Sequence, residues 1–168
     1  HFSKYQGTGN DFVIIDNRAG EISLSREQIK QLCDRHFGVG ADGLMLLNTA
    51  AGYDFEMKYY NSDGNESTMC GNGGRCLVKF PYNLRIHKDA YRFIAIDGPH
   101  NAEIDLDGTV SLQMKDVSGL KAYDGDVILD TGSPHYVRMA EKLKDLDVYK
   151  EGKAIRNSPD FRKEGINV

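Results

Sequence analysis

The sequence predicts an α+β fold in which strands outnumber helices. Three observations carry this. Glycine is 18 of 168 residues, about 11%, against a usual share of roughly 7%, which calls for many tight turns. Several short segments alternate apolar and polar residues with the strand period of two. Helical signals are few, and the first is announced by a capping box, Ser25-Arg26-Glu27-Gln28, in which Ser and Gln satisfy one another's backbone donors.

Phe2 to Gln6 and Asp11 to Asp16 read as strands joined by the glycine-rich turn "GTGN". Behind Ser25, the apolar spacing of Ile29, Leu32 and Cys33 predicts a helix over 26–36, ended by "FGVGADG" and followed by a buried strand, Leu44 to Leu47. Phe55 to Tyr60 sets Phe55, Met57 and Tyr59 against Glu56 and Lys58, the pattern of a half-buried strand, and "NSDGNES" follows as a turn. Cys76, Leu77 and Phe80 form a helical stripe, so a helix is expected from about Gly73, kinked or ended near Pro81. Strands follow at Tyr91 to Ile96, Ala102 to Leu106 and Thr109 to Met114, the last two read as a hairpin on Asp107-Gly108. "VSGLKAYDGD" reads as a linker. Short strands at Val127 to Leu129 and Tyr136 to Met139, around "DTGSPH", and a helix over Asp147 to Asn157 complete the chain. A boundary near residue 116 divides a domain over 1–116 from a stretch over 117–168. The second stretch, about fifty residues, is thin for an independent core and is expected to be the start of a larger domain.

Composition narrows the function classes. Hydrophobic residues are 40% and charged residues 27%, with a net charge of −4 and no basic stripe, so nucleic acid is not expected as a partner. No apolar run approaches the roughly 20 residues of a membrane helix, and no membrane association is expected. Cys33, Cys70 and Cys76 are odd in number without framework spacing. With no secretory signal, they read as reduced thiols of a cytoplasmic protein.

"TMCGNGGRC", residues 68–76, concentrates the chemistry. A helix starting just after Cys70 would turn the free N–H groups of Gly71, Asn72 and their neighbours toward the thiol. Helix starts favour thiolates and bind carboxylates. The stretch could therefore hold a substrate carboxylate beside a proton-accepting sulfur and stabilise the charge that develops when an α-proton leaves. The competing reading makes Cys70 a small buried turn residue, which its polar, glycine-rich surroundings oppose. Cys33 and Cys76 lie on apolar helical faces and read as core. The C-x5-C spacing without a nearby His is not a zinc pattern, and no Gly-Lys-Ser/Thr closes a P-loop. On their own, Asn10 and Asn61 read as turn residues and His135 as a structural histidine.

Taken together, "FSKYQGTGNDFVIID", "RHFGVGADG", "YYNSDGNESTMCGNGGRC", "GSPH" and "GINV" resemble the diaminopimelate epimerase family of cofactor-independent amino-acid racemases and epimerases. The resemblance runs along the whole chain. It implies two similar domains, each a mostly antiparallel sheet curled around a central helix, the second incomplete here. It implies interconversion of LL- and meso-diaminopimelate for lysine and cell-wall synthesis, with a small amino-acid substrate and neither cofactor nor metal, and it is compatible with a homodimer. By resemblance Cys70 is the first of two catalytic cysteines, Gly71 and Asn72 are backbone donors to the substrate carboxylate, Asn10, Asn61 and Asn167 are substrate contacts, and His135 tunes cysteine acidity. The family usually has Gln where Gly43 stands and Asn where Ser133 stands, so part of the substrate is expected to be held differently. The family's second cysteine loop is expected beyond Val168, which would leave this chain unable to epimerise alone. The other readings are a related proton-shuttling isomerase of the same fold and a non-catalytic carboxylate-binding fragment.

Overall fold

The computed structural model describes residues 1–84 and 86–168. The chain divides into two compact units, His1–Met114 and Lys115–Val168.

In the first unit, strands β1 (Ser3–Gly7), β2 (Asn10–Asp16), β3 (Gly43–Asn48), β4 (Phe55–Asn61), β5 (Ala90–Ala95), β6 (Gly98–Ile104) and β7 (Val110–Leu112) form one sheet in sequence order. Two helices interrupt it, α1 (Arg26–Cys33) and α2 (Gly71–Asn83). Most neighbours are antiparallel, but β2–β3 and β4–β5 pair parallel. Parallel neighbours need a crossover, and α1 and α2 lie in those two crossovers. Helix α2 packs against β1, β2 and β3 and also against β6 and β7. One helix can meet both ends of a seven-stranded sheet only if the sheet curls around it.

The curl explains the uninterrupted apolar runs of β2 and β3. Strand side chains alternate between faces. Phe12, Ile14, Met45 and Leu47 point inward to α2, with Phe55, Met57, Leu77, Val78 and Phe93. Val13, Ile15, Leu44 and Leu46 point outward into a second cluster with Ile29 and Cys33 of α1. Both faces of these strands are covered, so neither shows polar alternation.

Several sequence expectations are corrected in detail. The first helix stops at Cys33 rather than 36, because the Asp34 side chain accepts from the N–H groups of His36 and Phe37 and folds "DRHFG" into a turn. Its capping box is present in both directions, Ser25 with Gln28. The central helix begins at Gly71, two residues early, and runs through Pro81 to Asn83. Pro81 falls in the last turn, where one lost N–H bond is partly offset by burial of its ring. Asp107-Gly108 does not form a two-residue hairpin. The Asp105 N–H bonds the Thr109 carbonyl at 2.9 Å, closing a three-residue loop with Gly108 at φ +83°, the loop type that ends in a left-handed residue.

The second unit holds a three-stranded antiparallel sheet, β8 (Leu120–Tyr123), β9 (Asp126–Asp130) and β10 (Pro134–Val137), followed by α3 (Val148–Arg156). The segment read as a linker thus supplies a strand. Its Asp124-Gly125 turn has φ of 49° and 84°, positive at both central positions as a type I′ hairpin requires. The core here is small. Tyr136 and Ile166 are buried, and the rings of Tyr123, Tyr136 and Phe161 pack with centroids 5.2–5.9 Å apart.

Candidate active site

The register fixes which strand ends meet. Gly7 pairs with Asn10 across β1–β2, Phe12 with Gly43 across β2–β3, and Gly43 with Asn61 across β3–β4. Asn10 is two residues before Phe12, Gly43 two before Met45 and Asn61 two after Tyr59, so all three share the inward face with core residues. They lie at one end of the half-barrel, its mouth. The N-terminus of α2 reaches the same mouth, since a Cβ on Gly7 would lie 3.2 Å from the Asn72 carbonyl oxygen and 3.5 Å from the Asn72 Cβ.

Cys70 is the N-cap of α2, in extended conformation, and its side chain makes no capping bond. The first intrahelical bond runs from Gly74 N–H to the Cys70 carbonyl at 2.7 Å. The N–H groups of Gly71, Asn72 and Gly73 therefore precede the helical ladder, and they find no acceptor among the described residues. The Cys70 thiol is half-buried and donates to Asn10 Oδ1 at 3.7 Å. It thus has an acceptor for its S–H form in Asn10 and stands beside the free N–H groups that open α2.

Asn10 is itself oriented. Its Nδ2 donates to Asp42 Oδ2 at 2.8 Å, which leaves Oδ1 facing the sulfur. Asp42 also accepts from the Asp11 N–H at 3.1 Å and from Arg35 at 2.8 Å. Arg35 grips Asp11 with both terminal nitrogens, at 3.1 and 2.8 Å, and Lys4 lies 3.0 Å from the same carboxylate. These cations hold the Asp11 carboxyl well below the usual carboxylate range, Arg35 contributing most. Two cations, two carboxylates and an amide thus form a chain from solvent to Cys70.

The glycines of α2 serve packing as well as access. A Cβ on Gly73 would fall 2.2 Å from Met45 Cε, and one on Gly74 would fall 3.0 Å from Leu112 Cδ2. Gly73 and Gly74 are buried and bring the helix against β3 and β7. Gly71 is half-buried, and a Cβ there would meet Met114 Sδ at 3.5 Å.

The other thiols are sealed. Cys33 is 3% exposed and Cys76 5%. Burial pushes the Cys33 thiol up and the Cys76 thiol up to about 11. No cluster of three or more His, Cys, Asp or Glu able to hold a metal ion occurs among the described residues. Among them, too, no helix is long and apolar enough to cross a membrane.

Asn10, Asn61, Cys70, Gly71 and Asn72 thus meet at the mouth of the first unit. His135 and Asn167 come together in the second. Their backbones form a parallel bridge, with Tyr136 N–H to the Asn167 carbonyl at 2.7 Å and Asn167 N–H to the Pro134 carbonyl at 3.0 Å. Asn167 Nδ2 donates to Ser133 Oγ at 3.2 Å. His135 Nδ1 lies 2.8 Å from the Ser133 carbonyl. That oxygen can only accept, so Nδ1 carries a proton. Sequence reasoning missed Lys4, Asp11, Arg35 and Asp42. For Asp11, Arg35 and Asp42 the available signal was the charge beside each glycine-rich turn, in "GNDF", "DRHFG" and "GADG".

Comparison with known proteins identifies the family. A family model described as diaminopimelate epimerase matches residues 2–119. The diaminopimelate epimerase of Flavobacterium psychrophilum is 53% identical over 98% of this chain and 65% of its own length. That of Chlorobaculum tepidum is 43% identical over 96% of this chain and 66% of its own. The chain therefore spans about two thirds of the length of these relatives. Among solved structures, a phenazine biosynthesis protein of the PhzF family from Bacillus anthracis superposes with a TM-score of 0.60 at 15% identity, covering 81% of this chain and 53% of its own. A hydroxyproline epimerase from Agrobacterium vitis does so with a TM-score of 0.58 at 11% identity, covering 86% of this chain and 53% of its own. The structural likenesses share the fold, and the family model over residues 2–119, with relatives 53% and 43% identical along nearly the whole chain, shows the family: the chain belongs to the diaminopimelate epimerase family.

Proposed function

We propose that the whole protein interconverts LL- and meso-diaminopimelate by proton transfer at the α-carbon, in lysine and peptidoglycan synthesis, and that Cys70 is one of its two acid–base groups. The observation that carries this reading is the Cys70 thiol at the start of α2, beside backbone N–H groups that lack acceptors among the described residues. A substrate carboxylate bound by the Gly71 and Asn72 N–H groups brings its α-carbon beside the sulfur. The thiolate takes the α-proton and becomes the thiol. The electron pair left behind delocalises into the carboxylate, where the same N–H groups stabilise it. Inversion then requires an acid on the opposite face. Cys33 and Cys76 do not supply it, because both are buried. Asn10, Asn61 and Asn167 would contact polar groups of the substrate, and His135 would tune cysteine acidity. Three unpaired thiols suit a reducing cytoplasm.

The test is incubation of the full-length enzyme with LL-diaminopimelate in D₂O. Meso product carrying deuterium at the inverted carbon is expected from the wild type, and its loss from Cys70→Ser. Undiminished meso formation by folded Cys70→Ser would refute the role of Cys70.

A further inference from the structure

The geometry points to Tyr59 as a further substrate-contacting residue, whose hydroxyl, standing over Gly43 at the mouth, donates to a carboxylate oxygen of the bound amino acid. The inference rests on the reading of the mouth as an amino-acid site.

In the antiparallel β3–β4 pair, Tyr59 lies opposite Met45 and diagonal to Gly43 on the inward face, within reach of a long aromatic side chain. Its ring takes the space that a side chain at 43 would need. A Cβ on Gly43 would sit 2.5 Å from Tyr59 Cε2, 3.1 Å from the Tyr59 hydroxyl and 2.5 Å from the Tyr60 carbonyl oxygen. Position 43 contributes no side chain, and the polar tip beside it comes from the next strand. From there the mouth continues through Asp42, the neighbour of Gly43, to Asn10 and the Cys70 thiol.

The ring is fixed and the hydroxyl is free. Tyr59 packs edge-on against Phe12, with centroids 5.9 Å apart at 78°. Tyr59 is only 9% exposed, yet its hydroxyl makes no hydrogen bond among the described residues. The hydroxyl is not sealed either, since Ser158 Oγ is the buried unpartnered side-chain atom among those residues. A tyrosine buried to this degree normally bonds its hydroxyl. One left open over Gly43 at the mouth, within the electrostatic reach of Cys70, is a polar group of the kind that orients a ligand. Burial first, then the Cys70 and Asp42 charges, push the phenol up to about 12. At neutral pH it keeps its proton and can donate it to a carboxylate oxygen.

Tyr59→Phe in the full-length enzyme removes the hydroxyl and keeps the ring. The KM for LL-diaminopimelate is expected to rise about tenfold with kcat within about threefold, as for loss of a hydrogen bond to a charged group in uniform binding. Calorimetric binding of LL-diaminopimelate in the Cys70→Ser background, where turnover cannot interfere, is expected to weaken by a similar factor. Unchanged KM and unchanged affinity would overturn the inference, as would a fall in kcat alone. A wild type that binds diaminopimelate without epimerising it would sink the proposed reaction, while the binding ratio would still decide for or against Tyr59. Absence of binding to either protein would refute both.

Discussion

Gly73→Ala in the full-length protein separates the two uses of the α2 glycines. The added Cβ would stand 2.2 Å from Met45 Cε. Carbon atoms prefer about 3.5–4.0 Å, so the methionine methyl must retreat by roughly 1.5 Å. Met45 is fully buried, and overpacking of this kind costs about 1–3 kcal/mol, toward the lower end because a thioether is flexible. Against this, alanine is favoured over glycine within a helix by up to about 1 kcal/mol. The collision is expected to win narrowly in the wild-type background. Met45→Ala removes the colliding atoms, so in that background Gly73→Ala should change sign and stabilise. The double-mutant cycle thus isolates a coupling of about 1–3 kcal/mol. Thermal unfolding reads it, at roughly 2–4 °C per kcal/mol for a domain of this size. Equal shifts in both backgrounds would refute the packing argument and return Gly73 to a role in ligand access alone. Kinetics add a second readout. The new Cβ would lie 3.6 Å from Cys70 Cβ, an ordinary contact, so the thiol is not pushed directly. Any fall in kcat would then report displacement of the helix start.

Two other outcomes follow from the same geometry. Brief alkylation with iodoacetamide near neutral pH, followed by peptide mapping, should label half-buried Cys70 ahead of Cys33 and Cys76, which are buried with raised thiols. Labelling of Cys76 first would contradict its placement. Asp42→Asn replaces one acceptor oxygen by an amide that cannot serve Asn10, the Asp11 N–H and Arg35 together. Kinetics with LL-diaminopimelate should show kcat reduced about tenfold, with little loss of stability because the Arg35 pair is largely exposed. Unchanged kcat would detach the charge cluster from the thiol.

What was legible in the sequence was local. The capping box at Ser25 needs four residues to recognise, and the helix start after Cys70 is visible because glycine and asparagine crowd one side of an apolar stripe. What was not legible depends on register. Tyr59 is indistinguishable along the chain from Phe55 and Met57, and only its diagonal to Gly43 in the β3–β4 pair brings its hydroxyl to the mouth. Asp107-Gly108 and Asp124-Gly125 look alike as dipeptides. The second closes a two-residue turn because Tyr123 and Asp126 pair directly, whereas the first is widened by the bond from Asp105 to Thr109. Nothing along the chain shows that two of the three glycines of "CGNGG", Gly73 and Gly74, are room for Met45 and Leu112.

That packing has a consequence for how the thiol is held. Close packing at Gly73 and Gly74 fixes α2 against β3 and β7, so the position of Cys70 is set by the core rather than by its own loop. Its hydrogen-bond acceptor is set from elsewhere. Asn10 Oδ1 faces the sulfur because Nδ2 is occupied by Asp42, and Asp42 is held by Arg35 and the Asp11 backbone. An amide is free to flip when its surroundings offer a donor and an acceptor equally. Here a carboxylate, which can only accept, excludes the flipped form. A flip would put an N–H toward the sulfur, remove the acceptor for the thiol's proton and leave Asp42 facing Oδ1. The charge cluster at the solvent side of the mouth therefore selects which atom Cys70 meets.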